Sequence, residues 1–145
     1  MTTIRTANAN DADRLAELSR ELGYPVEPDV IRRRLERLLA KPDHIVLVME
    51  GSPGMVLGWI HAAEHDILEV GCFCEIQGLV VAANRRGEGI GWKLVERVER
   101  WAAERGLEQV SVRSNVVRAE SHPFYERAGY LRVKTQHVYH KLLRH

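Results

Sequence analysis

Gly87, Gly89 and Gly91 stand at alternate positions directly after Arg85 and Arg86. Glycines lack the Cβ that would keep a ligand away from the backbone, so successive N–H groups at such a turn can be approached closely. A helix starting there adds the free N–H donors and partial positive charge of its first turn, beside the full charges of the guanidinium groups. The chemistry this stretch can do is to hold a pyrophosphate. Two other phosphate-binding loops fail against the letters. A P-loop needs Gly-Lys-Ser/Thr at the helix entry, where this chain has Gly91-Trp92-Lys93. A dinucleotide-binding turn needs G-x-G-x-x-G, but counted from Gly87 and Gly89 the last position is Trp92.

The residues on either side supply the elements that must position this turn. Ile76, Leu79, Val80, Val81, Ala82 and Ala83 form a short apolar run of the kind found inside a sheet, while Ile90, Leu94, Val95, Val98, Trp101 and Ala102 fall on one face of a helix. Upstream, the pattern predicts a strand from Thr3 to Ala7 and a helix carrying Ala12, Leu15, Leu18, Ser19 and Leu22 inward, with Asn8, Asn10 and Asp11 as capping residues. A second helix after Pro28 turns Ile31, Leu35, Leu38 and Leu39 inward and stops before Pro42. Residues 45–49 and 55–60 read as a hairpin around Gly51-Ser52-Pro53-Gly54. Downstream come a strand over 109–113, a short helix over 119–128 and a final pair of strands over 130–143. The order implies a mixed sheet with helices on its faces, in a single domain spanning residues 1–145.

Two further clusters have residue types that could do chemistry. His61, Glu64, His65 and Asp66 gather at the far end of the hairpin, where they read as an exposed loop or substrate rim because their spacing fits no metal motif. Cys72 and Cys74 point the same way along a strand without a second ligand pair, so they read as buried or half-buried thiols. With 21 basic and 20 acidic side chains the net charge is +1, and no strong field points to nucleic acid or an anionic membrane. No apolar run approaches the roughly 20 residues of a membrane span, and the N-terminus lacks the layout of a signal peptide, so the expected compartment is the cytoplasm.

Arg86-x-x-Gly89-x-Gly91, between a strand and a helix, resembles the acetyl-coenzyme A signature of the GNAT acetyltransferases. Asn115, Ala119 and Phe124-Tyr125-Glu126-Arg127-Ala128-Gly129-Tyr130 resemble a second segment of the same family. The resemblance covers nearly the whole chain. It implies the GNAT fold, of class α/β (α+β): a mixed, mostly antiparallel sheet of six to seven strands with about four helices on its faces. It implies acetyl-coenzyme A as cosubstrate. Leu79, Val80 and Val81 would pair by backbone with the pantetheine arm, Arg86, Gly87, Glu88, Gly89, Ile90 and Gly91 would form the pyrophosphate turn, Asn115 would touch pantetheine and Tyr125 would face the sulfur.

For catalysis the resemblance nominates Glu75 as base, by its spacing from Arg86, and Tyr125 as the proton donor to the departing thiolate. Gln77 and Ser111 stand where other branches of the family carry a catalytic glutamate, and neither can serve as one. His122 is a further candidate acid or base, though a capping or surface role suits it better. The expected activity is transfer of an acetyl group to a primary amine of a small molecule, and Glu64, Asp66 and Glu69 would suit a cationic one. The alternatives are acetylation of a protein N-terminus or lysine, and a coenzyme A-binding sensor domain without turnover. Relatives in the family often pair through their terminal strands, so a homodimer is also expected.

Overall fold

The computed structural model describes residues 2–113 and 121–144. They fall into two compact units, Met1–Arg113 and Ser114–His145. In the first unit, β1 (Thr3–Thr6) leads through a 3-10 turn into α1 (Ala12–Glu21) and α2 (Pro28–Leu39). There follow β2 (His44–Glu50), β3 (Val56–Ile67), β4 (Gly71–Val81), α3 (Ile90–Glu104) and β5 (Val110–Val112). The sheet order is β1-β2-β3-β4-β5, antiparallel throughout except for the parallel β4–β5 pair.

Period-2 alternation sorts the sheet into two faces. Val46, Val48, Trp59 and Val80 pack with Leu15, Leu18 and Leu35 of α1 and α2. Ile60 belongs to the opposite face, where α3 lies against β2, β3 and β4 and buries Ile90, Leu94, Val95 and Val98. Both helices of the first pair start as their sequences dictate. Asn8 and Asp11 form a reciprocal capping box ahead of α1, and Pro28 opens α2 where no intrahelical N–H is needed.

Arg5 ties this end of the molecule together. Its guanidinium donates to both Asp11 oxygens at 2.9 and 2.8 Å and reaches Glu50 at 3.4 and 3.3 Å, joining β1, the turn into α1 and the end of β2. Burial by itself would raise the Asp11 pKa, but the bonds from Arg5 and from the Asn8 N–H outweigh it and hold the carboxyl below its usual range.

In the second unit, α4 (Ser121–Arg127) closes at Gly129, which takes φ +91° as the Tyr130 N–H returns to the Tyr125 carbonyl at 3.0 Å.

The mixed sheet with four helices matches the expected class, with three differences. The sheet has five strands among the described residues, because residues 130–144 carry no strand. Alternating letters make a strand only when a neighbour supplies the ladder, and Leu131, Val133, Tyr139 and Leu142 are exposed instead. The hairpin does not end in a loop at His61: β3 continues to Ile67 because β4 pairs with it down to Gly71, burying Ala62 and Ala63. Cys74 is buried as expected, whereas Cys72 is exposed on the length of hairpin that projects past β2 and β5. Among the described residues no helix is long and apolar enough to cross a membrane.

Candidate functional site

Among the described residues the C-terminal half of β4 has one open edge. Its parallel partner β5 stops at Val112, opposite Ile76, so Gln77 to Val81 run on without a β5 partner. Leu79, Val80 and Val81 keep their pairing to Ile60, Trp59 and Gly58 of β3 on the other edge. The free edge leaves backbone donors and acceptors for a ligand to use.

A bulge also lies within β4. His61 pairs with Gly78 and Ala62 with Ile76, which makes Gln77 the additional residue. An extra residue reverses the alternation. Glu75, paired with Ala63, therefore faces α1 and α2 together with Gly78 and Val80, while Leu79 and Val81 face α3. Strand parity alone would put Glu75 on the side of Leu79 and Val81, and the bulge corrects that expectation. The Glu75 side chain is 12% exposed, with Arg113 Nε at 3.5 Å and the Gln77 amide donating at 3.4 Å.

Beyond β4 the chain turns through Ala83–Arg85 and is anchored where the Ala83 N–H donates to Glu21 Oε1 of α1 at 3.1 Å. Arg85 Nε donates to both Glu88 oxygens, at 3.0 and 2.9 Å. That pair neutralises one of the two arginines, and Arg86, exposed, makes no ion pair among the described residues. Gly87 and Gly89 sit at φ +86° and +80°, and a Cβ added at either would meet nothing within 4 Å. Glycine is required here by backbone conformation rather than by crowding, since an L side chain in this region costs about 1–2 kcal/mol. Ile90 opens α3 without a side-chain cap on its first turn. No hydrogen bond to a described residue takes up the backbone N–H groups from Gly87 to Trp92. The result is a row of unsatisfied donors at the positive end of a long helix.

Of the remaining candidates, Asn115 lies outside the described residues. Tyr125 belongs to the second unit, on α4, half-buried with its ring edge-on to Phe124 at 5.0 Å and to Tyr130 at 5.9 Å.

The face that holds Glu75 carries His61 and His65, from the cluster that reads in sequence as an exposed loop or substrate rim, together with His44, which no sequence pattern singles out. His44 Nδ1 lies 2.9 Å from His61 Nε2 with the rings stacked, and His65 Nε2 lies 2.6 Å from the Gln77 amide. Burial lowers the pKa of both His44 and His61, reaching about 4 for His61, with the charge of His44 as a second cause there. The indole N–H of Trp59, on the same face, is buried without a partner among the described residues. The available signal was the even spacing of Trp59, His61, Ala63 and His65, legible only once β3 is known to extend that far.

Comparison with known proteins bears on this arrangement directly. An uncharacterized N-acetyltransferase of Chlorobaculum tepidum is 26% identical over 144 residues, covering 99% of this chain and 84% of that protein. Aminoglycoside N(6')-acetyltransferase type 1 of Serratia marcescens is 21% identical over 120 residues, covering 80% and 82%. The solved structure of AAC(6')-Iy with a bisubstrate analogue, CoA-S-monomethyl-acetylneamine, shares the fold at a TM-score of 0.85 and 18% identity, over 99% of both chains. The model of the acetyltransferase (GNAT) family matches residues 12–130, most of the chain, so the protein belongs to that family of N-acetyltransferases and takes acetyl-coenzyme A as its cosubstrate.

Proposed function

We propose that this enzyme, acting as one domain, transfers the acetyl group to a primary amine of a small molecule by direct attack in a ternary complex. The observation that carries the reading is the run of N–H groups from Gly87 to Trp92 that no described residue takes up, beside an Arg86 without an ion pair among the described residues and continuous with the edge of β4 past Ile76. Those donors hold the pyrophosphate, with Arg86, Gly87, Glu88, Gly89, Ile90 and Gly91 forming the turn. The free edge at Leu79, Val80 and Val81 pairs with the pantetheine arm, and Asn115 contacts it. The similarity to an aminoglycoside acetyltransferase supports a small-molecule acceptor.

An alkylammonium has a pKa near ~10.4 and no lone pair, so a base must remove its proton before attack. Glu75, mostly buried and oriented by a hydrogen bond from Gln77 and an ion pair with Arg113, accepts that proton directly or through water. The amine nitrogen bonds to the thioester carbon. A backbone N–H at the open edge of β4 stabilises the negative charge that develops on the oxygen. When the C–S bond breaks, the Tyr125 hydroxyl protonates the departing thiolate.

The test is release of thiol from acetyl-coenzyme A in the presence of a mixed panel of small amines. Amine-dependent release supports the reading. Release only with peptides would move the acceptor to protein N-termini or lysines, and coenzyme A binding without release from any acceptor would leave a sensor domain.

A further inference from the structure

The residues on the α1/α2 face of the sheet fall into cross-strand rows. One row runs His44, Ala63, Glu75 across β2, β3 and β4, and the next runs Val46, His61, Gly78. Strands are about 4.8 Å apart, so His44 and Glu75 stand roughly 10 Å from each other at the backbone. Ala63 on β3 and Gly78 on β4, the neighbours of His44 and His61 in these rows, add almost no side chain of their own. The edge of the Trp59 ring bounds it at Gly78, where an added Cβ would come within 2.9 Å of that ring.

The chemistry of the paired imidazoles follows from their contact. With His44 Nδ1 and His61 Nε2 only 2.9 Å apart, one nitrogen donates and the other accepts. Whichever tautomer is present, the outer nitrogens, His44 Nε2 and His61 Nδ1, offer one donor and one acceptor between them. Burial keeps both rings neutral at physiological pH, so the pair accepts a hydrogen bond from an alcohol or an ammonium without repelling a cation. The charged and titratable groups around it are Lys41 and Asp43 before β2, His65 on β3 and Glu75 beyond Ala63.

We propose that the His44–His61 pair is a second recognition point of the acceptor site, holding a hydroxyl or second amine on a bifunctional amine whose reacting nitrogen lies at Glu75. This rests on the acetyl-transfer reading above and narrows its substrate class to amino alcohols and diamines.

The experiment compares kcat/KM for pentylamine, 5-aminopentanol and 1,5-diaminopentane, which differ only in the second polar group, in the wild-type enzyme, His44→Phe and His61→Gln. The wild type is expected to favour the amino alcohol and the diamine over pentylamine about tenfold, the worth of one good hydrogen bond. In both variants that ratio is expected to fall toward one, through KM. Turnover of all three amines at equal kcat/KM by the wild type, or a preference that survives both substitutions, overturns the proposal. Imidazole nitrogen NMR on the wild type gives a reading independent of turnover and of variant folding. The His44 and His61 signals should move on addition of 1,5-diaminopentane and not of pentylamine, and unmoved signals with the diamine would contradict the proposal. If the signals move and no amine is acetylated, the acetyl-transfer reading fails while the recognition site stands.

Discussion

Gly89→Ala separates the two demands that the turn places on one residue. Gly89 is the residue before α3, at φ 80° and ψ 11°, and nothing stands within 4 Å of the position its Cβ would take. The substitution therefore brings no steric clash within the protein, only the left-handed backbone penalty of about 1–2 kcal/mol. For a chain of this size, with roughly 2–4 °C of melting temperature per kcal/mol, that is a loss of about 2–8 °C. The backbone has two responses. It keeps its conformation and bears the full penalty, with a methyl group where the pyrophosphate must approach, or it relaxes φ and swings the following N–H groups away. Either costs at least one charge-assisted hydrogen bond, about 1.5–3 kcal/mol, which is roughly 10- to 100-fold in affinity. Gly71→Ala is the control, because Gly71 has φ +88° with equally open space and opens β4, at the end of that strand opposite the turn into α3. Thermal melting and calorimetric titration with coenzyme A should show both variants destabilised and only Gly89→Ala weakened in binding. Equal coenzyme A affinity in the two variants would refute the reasoning.

Glu75→Gln is expected to lower kcat about 100-fold or more while coenzyme A affinity stays within twofold, and Tyr125→Phe to lower kcat with a smaller effect on KM. Full turnover by both variants in a thiol-release assay would remove the acid and base assignments. Asp11→Asn should destabilise the fold by about 1.5–3 kcal/mol in urea unfolding, by weakening charged hydrogen bonds to Arg5. Because the folded Asp11 pKa is lowered, its contribution is present above the unfolded value and lost as pH falls through the folded one, so the variant should also lose part of the acid limb of the stability profile. His61 behaves in the opposite sense to a paired histidine. Its pKa drops from 6.5 to about 4, so between those values the unfolded chain binds more protons and stability rises with pH. In His61→Phe the slope between pH 4 and 6.5 should flatten, as measured by melting temperature across that range.

The strand–turn–helix unit was readable from its letters because each signal acts locally. Glycines at 87 and 89 answer a backbone demand, and the spacing of Ile90, Leu94, Val95 and Val98 needs only a helix period to be seen. Pro28, Asn8 and Asp11 marked helix starts for the same reason. What escaped depends on partners distant in sequence. The length of β3 past Ile60 is set by its pairing with β4, and the face on which Glu75 stands is set by one extra residue, Gln77, that no alternation pattern reveals. His44 and His61 are 17 positions apart and meet only because the β2–β3 register sets Val46 opposite His61 and His44 opposite Ala63. Arg85 was credited with a charge for the ligand, yet Glu88, three residues on, takes it up. Apolar letters from Tyr130 onward suggest strands, but a strand is defined by the neighbour that completes its hydrogen bonds.

A crystal structure of the protein with coenzyme A bound tests the central claim most directly. The account predicts pyrophosphate oxygens about 2.7–3.2 Å from backbone nitrogens between Gly87 and Trp92, with the pantetheine arm hydrogen-bonded along Leu79 to Val81. A pyrophosphate seated away from the start of α3, with those N–H groups left to solvent, would contradict it.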